Sequence, residues 1–124
     1  MPWVVEFEEE FEKEFDGLAE AVQDELAAQA QVLEKFGPTL GRPRVDSLKS
    51  SQYPNMKELR FDAANGVWRV AFAFDPQRKA MLLVAGDKSG VSQSKFYKRL
   101  IDKADRRFSA HLAKLESEKK GKRN

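Results

Sequence analysis

The chain has 124 residues with 22 basic and 20 acidic side chains, a net charge of +2, 41% hydrophobic residues, one histidine and no cysteine. That length suits one domain around one core, and the composition excludes disulfides, thiolate metal sites and an ordinary zinc ligand set. A cysteine-free chain of this size fits a reducing cytosol, so a cytoplasmic location is expected. The charge is unevenly spread: residues 1–34 hold 11 acidic and 1 basic side chain, net −10, which leaves net +12 for the remainder. A basic majority of that kind suits a polyanionic partner, and the acidic segment would be repelled by the same partner.

The opening Met1-Pro2-Trp3-Val4-Val5-Glu6-Phe7 lacks a basic leader and a long apolar stretch, so neither a signal peptide nor a membrane span is expected. Residues 3–7 alternate weakly and are rich in Trp, Val and Phe, which predicts a short strand. Phe7, Phe11, Phe15, Leu18, Ala19, Val22, Leu26, Ala30 and Leu33 recur every three or four residues, the period of a helical apolar stripe. Asp16-Gly17 interrupts it, because Asp favours an N-cap and Gly disfavours a helix interior. The spacing therefore predicts a short helix over 8–15 and a long one over 17–35. Phe36-Gly37-Pro38 ends the second helix. Residues 39–56 read as one long loop, a length that marks functional or mobile segments. Strands follow at 57–62, 67–75 and 79–86. Their connections, Ala64-Asn65-Gly66 and Asp75-Pro76-Gln77-Arg78, are short enough to make an antiparallel meander. Ser92 or Ser94 caps a last helix running to about residue 115, with Phe96, Leu100, Ile101, Ala104, Phe108, Leu112 and Leu115 on its stripe. His111 reads as a partly exposed helical residue, and residues 116–124 as a basic, frayed tail. The fold expected is α+β, a single domain over 1–115. In it, N-terminal helices and a C-terminal helix pack on a mostly antiparallel sheet of about four strands.

Strand phase supplies the functional signal. Side chains alternate across a strand, so Trp68, Val70, Phe72 and Phe74 share the core face while Arg69, Ala71 and Ala73 share the other. Arg60 is out of phase with Leu59 and Phe61 in the same way. The second face is then expected to be open, lined by two guanidinium groups and two methyls, a bed for an anion.

The run Leu40-Gly41-Arg42-Pro43 with Leu48, then Lys57-Glu58-Leu59-Arg60-Phe61, Trp68-Arg69-Val70-Ala71-Phe72 and Gly86-Asp87-Lys88-Ser89, resembles the HigB-like branch of the RelE/ParE toxin superfamily, a branch related to phage-derived proteins. The resemblance covers almost the whole domain. It implies a RelE-like fold and a type II toxin that cuts messenger RNA on the ribosome and is neutralised by a cognate antitoxin of the helix-turn-helix kind. It implies no cofactor, metal or membrane. Arg60, Arg69 and Lys88 match recurring basic positions of the family, and Lys57 matches less closely. The longer C-terminal helix and the lack of a His at the sheet edge depart from members that use His or acidic catalysts.

Metal-free RNA cleavage by the 2′-oxygen needs a proton acceptor, charge stabilisation at the phosphorane and a donor to the 5′ leaving oxygen. Arg60 and Arg69 suit the phosphate, because a guanidinium keeps its charge and presents several donors. Lys88 suits a proton donor or second stabiliser. The base is open among Lys88, Lys57, Tyr53 and Tyr97, the last two also being stacking platforms. Arg42, Arg44 and Lys95 complete the expected RNA contacts. Gly86-Asp87-Lys88-Ser89-Gly90 lacks the spacing of a phosphate loop. Two other readings remain at this level, a noncatalytic gyrase inhibitor of the same superfamily and a plain basic RNA-binding module.

Overall fold

The protein is described by a computed structural model over residues 2–121. The elements are β1 (Val4–Phe7), α1 (Glu9–Asp16), α2 (Glu20–Phe36), a 3-10 turn (Gly37–Thr39), β2 (Val45–Ser47), β3 (Lys57–Ala63), β4 (Gly66–Phe74), β5 (Lys79–Asp87) and α3 (Gln93–Gly121). The five strands form one sheet in the order β1-β5-β4-β3-β2, antiparallel except for the β1/β5 pair. The strand not foreseen is β2. It has three residues, Val-Asp-Ser, too short for alternation to register.

Local chemistry sets the boundaries. The Glu8 carboxylate caps α1 by accepting from the Glu10 and Phe11 backbone N–H groups, both at 2.9 Å. Asp16 closes α1 rather than capping α2, which starts after Ala19 without a side-chain cap. Gly37 ends α2 at φ +56°, and a Cβ there would meet the Trp3 indole at 2.2 Å, so only glycine fits. Ala64 and Asn65 both have positive φ, as a two-residue hairpin turn between β3 and β4 requires. Asp75 Oδ1 holds the β4–β5 turn by accepting from the Gln77 and Lys79 N–H groups. Of the two serines considered, Ser92 caps α3, and that helix extends to Gly121 instead of ending near 115. Residues 122–124 of the expected tail lie outside the described residues.

Helices pack on both faces of the sheet, so the face expected to be open is mostly covered and only its β2–β3 end stays accessible. On one side α1 and α2 bury Phe11, Val22, Leu26 and Leu33 against Val45, Leu59, Phe61, Val70, Phe72 and Leu82. On the other, α3 lays Phe96, Leu100, Ile101, Ala104 and Phe108 over Ala71, Ala73, Met81, Leu83 and Val84. Ala71 and Ala73 are the floor that lets a helix approach closely. An irregularity at Ala71/Phe72 lets adjacent Leu83 and Val84 both face α3, giving that side the apolar surface that β4 lacks.

One ion cluster ties α3 to α1. Arg107, 3% exposed, pairs in bidentate fashion with Glu14, approaches Glu10 at 3.4 Å and Glu8 at 3.9 Å, and donates to the Leu83 carbonyl at 2.8 Å. Arg107 holds the Glu14 carboxyl below its ordinary value, and Glu14 raises Arg107 in return. His111 is more constrained than the sequence suggests: its Nε2 lies 2.8 Å from the buried Asp75 carboxylate, fastening α3 to the β4–β5 turn.

Candidate nucleic-acid interface

The uncovered part of the α3 side of the sheet is a groove of about 830 Å³ between the β2–β3 edge and the first turns of α3. Arg42, Lys49, Arg60 and Lys88 line it, with Glu58 and Tyr97 at its floor. A cavity at the other end of α3, about 310 Å³, is lined by Glu6, Glu8, Glu9, Glu12 and Glu118 with His111, Lys79 and Lys114, a net acidic lining that suits cations rather than a nucleic acid. The groove is both larger and of the right sign.

Register builds the groove floor. Across β2, β3 and β4 the pairs Asp46–Glu58 and Glu58–Ala71 form one row, and Arg60 lies directly opposite Arg69 in the next. Two cations opposed in this way repel, and carboxylates on the neighbouring row offset the repulsion. Glu58 Oε1 lies 3.7 Å from Arg69 Nε, while Asp46 Oδ2 lies 3.1 Å from Arg42 and 3.9 Å from Arg60. Arg69 is 6% exposed and does not line the groove. The two guanidinium groups therefore do not form one exposed anion bed: Arg60 reaches the groove, and Arg69 lies beneath it against Glu58. The Nε atoms of both arginines lack a hydrogen-bond partner among the described residues.

Glu58 is the residue sequence reasoning missed. It is 5% exposed, accepts a hydrogen bond from the Tyr97 hydroxyl at 2.9 Å, and burial raises its carboxyl above the ordinary value even though Tyr97, Arg69 and Arg60 oppose the shift. A signal was present, since Glu58 shares its strand phase with Arg60. Tyr97 is pushed upward as well, by burial and by its bond to Glu58. The structure places the Tyr97 hydroxyl as a hydrogen-bond donor to Glu58, and both effects run against the lowered value expected of a tyrosinate base.

The other expected residues divide. Lys88 lines the groove, makes no ion pair with a described residue, and is anchored by its backbone N–H to the Val67 carbonyl. The neighbouring Asp87 carboxylate is turned to Ser89 and the Val67 N–H, and the Ser89 bonds hold it below its ordinary value. Arg42 also lines the groove. Lys57 lies in phase with Leu59 and Phe61, on the opposite face of the sheet, with its ammonium 6.0 Å from the Phe74 ring centre. Arg44 turns to Gln29 of α2. Lys95 is exposed on α3 outside the groove lining. Tyr53 bonds Ser109 and packs edge-on against Phe108, twelve residues or about 18 Å along α3 from Tyr97. It anchors its loop away from the groove.

A profile of the family described as phage derived protein Gp49-like (DUF891) matches residues 13–109. The chain belongs to this Gp49-like family. Two toxin candidates of Mycobacterium tuberculosis are similar to it: HigB3, 42% identical over 102 residues covering 82% of this chain and 87% of HigB3, and HigB2, 40% identical over 109 residues covering 87% of this chain. The chain spans about half of HigB2, 54% of its length. The free-state structure of an Escherichia coli toxin RelE mutant shares the fold, with a TM-score of 0.55 at 14% identity over 83% of this chain and 97% of that one. The Gp49-like chain is thus a HigB-like protein with a RelE-like α+β fold. Among the described residues no helix is long and apolar enough to cross a membrane.

Proposed function

We propose that this Gp49-like chain is the toxin of a type II toxin–antitoxin pair and acts in the cytoplasm as a ribosome-dependent endoribonuclease. The observation that carries the reading is a desolvated carboxylate, Glu58, at the floor of a groove rimmed by Arg42, Arg60 and Lys88. A carboxylate with raised proton affinity is suited to take the proton of a ribose 2′-hydroxyl. The 2′-oxygen then attacks the adjacent phosphorus, the bond from phosphorus to the 5′-oxygen breaks, and the products are a 2′,3′-cyclic phosphate and a 5′-hydroxyl. Arg60 offsets charge on the phosphorane, and Lys88 donates the proton that the leaving 5′-oxygen takes up. Arg69 and Tyr97 are positioning residues here: they act on RNA through Glu58, whose orientation and proton affinity they set.

So sparse a set of groups cannot impose the in-line geometry that attack requires. The ribosome supplies it by holding the message, a positioning effect able to contribute several of the roughly 7–11 kcal/mol available from orientation. The antitoxin, a helix-turn-helix protein in this reading, offers acidic groups to the same cations and closes the groove.

Induction of the chain in growing bacteria with parallel pulse labelling tests the reading. Protein synthesis falls first and messages shorten, and Arg60→Ala abolishes both effects while the purified variant keeps the wild-type circular dichroism spectrum. Selective loss of DNA synthesis with intact messages would replace this reading with gyrase inhibition. Growth without arrest on induction of the wild type would leave only a binding module.

A further inference from the structure

A second, smaller cavity adjoins the groove without belonging to it. It has a volume of about 220 Å³ and lies on the segment after α2, with Phe36 and Leu40 as its apolar lining and Arg42 and Arg44 at its rim. Phe36 is 49% exposed, and among the described residues it is the one aromatic side chain left exposed, the other twelve being buried or half-buried. A single exposed ring is ordinary on a protein surface, but here it sits in a cavity with cations at its rim and leaves part of an aromatic face available for stacking.

The cavity is preformed and cationic. The Thr39 hydroxyl donates to the Phe36 carbonyl at 2.7 Å, and Gly37 is locked against Trp3, which fixes the path of the chain around the ring. Lys35 Nζ lies 5.5 Å from the centre of the Phe36 ring, and Gln29 holds the Arg44 guanidinium. No carboxylate lines the cavity itself, and Asp46 pairs with Arg42 from the groove side at 3.1 Å. A flat apolar surface ringed by three cations matches a nucleobase that carries its own phosphate, because every base presents a face for stacking and each nucleotide brings one negative charge. Arg42 belongs to the walls of both the groove and this cavity, so one strand can engage the two in succession.

We propose that the Phe36 cavity is a second nucleotide subsite, in which an unpaired base flanking the scissile step stacks on Phe36 while Arg42 and Arg44 hold its phosphate. The proposal rests on the ribonuclease reading above and adds a residue that sets substrate length and grip.

Binding of dye-labelled, cleavage-resistant 2′-O-methyl oligoribonucleotides to the full chain, read by fluorescence anisotropy, tests it. The expected result is that a hexamer binds more tightly than a dimer and that Phe36→Ala costs the hexamer about ten-fold in affinity. The dimer is unaffected, and Phe36→Trp retains hexamer binding. Phe36 is exposed, so Phe36→Ala is expected to melt within a few degrees of the wild type, a control run beside it. Arg60→Ala weakens both oligomers. If Arg60→Ala weakens both while Phe36→Ala weakens neither, the subsite is wrong and the groove stands. If the wild type binds neither oligomer, the subsite is wrong, because it is proposed to grip an unpaired strand by itself, while the ribosome-dependent reading is decided by the cleavage assay. If Phe36→Ala impairs capture of the antitoxin alone, the cavity is a protein contact and the proposal is overturned.

Discussion

Replacing Arg107 by Met keeps the aliphatic stem that packs against the sheet and deletes the charge that joins α3 to α1. The cost follows from what the guanidinium touches. The Leu83 carbonyl, buried and bonded at 2.8 Å, loses its donor, a penalty of about 1–3 kcal/mol. Glu8 is left nearly buried without its cation, although its two helix-capping bonds remain. The pairs to Glu14 and Glu10 involve carboxylates that are about half exposed, so water screens them and each contributes no more than about 1 kcal/mol. Together the loss is about 3 kcal/mol, or roughly a 10 °C fall in midpoint for a chain of this length. Urea and thermal melts of Arg107→Met and its parent, both carrying Arg60→Ala so that they can be expressed, measure it. The pH dependence gives a second reading with a fixed sign. Glu14 has a folded-state value below its ordinary 4.5, so its contribution is present above that value and is lost as pH falls through the folded one. The parent therefore loses stability on acidification, and Arg107→Met loses less. A destabilisation below about 1 kcal/mol, or equal acid sensitivity in the two proteins, would refute this account of the cluster.

Gly37→Ala sets a methyl against the Trp3 indole at a backbone angle that alanine avoids, and melting should show a loss of about 2–3 kcal/mol; a neutral effect would mean that Trp3 has room to move. Tyr53→Phe removes the hydroxyl bonded to Ser109 and should cost about 1 kcal/mol of stability while leaving RNA cleavage unchanged, whereas a large loss of cleavage would return Tyr53 to the site. Tyr97→Phe takes away a hydrogen bond that favours ionised Glu58, so the acid limb of the pH–rate profile should move upward; an unmoved limb would show that Glu58 is not the group titrating.

The sequence carried the main architecture because the apolar periods are long and strong. From Trp68 to Phe74 bulky residues alternate with Arg69, Ala71 and Ala73 along β4, and the stripes of α2 and α3 run for several turns, so these elements and the antiparallel meander could be read directly. β2 could not be read, because a three-residue strand borrows its conformation from its neighbour β3. The covered second face was misjudged from β4 alone. Ala71 and Ala73 read as empty surface when they are the small floor under a helix, and the apolar partners come from β5 through a register irregularity that no period announces. The same misreading put Arg69 in solvent. Lys57 shows the opposite lesson, since its phase with Leu59 already placed it on the α2 face. Two signals were visible and went unused: Glu58 in phase with Arg60, and Arg107 set among Leu100, Ala104 and Phe108 on the apolar stripe of α3, where a buried cation needs the acidic first helix.

The chemical identity of the message ends produced on ribosomes bears most directly on the claim that Glu58 and the groove cations cut RNA. Purified chain incubated with programmed ribosomes should leave 2′,3′-cyclic phosphate and 5′-hydroxyl termini. Glu58→Gln, nearly the same shape but unable to take a proton, should lower the cleavage rate by at least about a hundred-fold with its melting temperature near that of the parent. Cleavage by a folded Glu58→Gln variant at the parent rate, or termini bearing a 5′-phosphate, would contradict it.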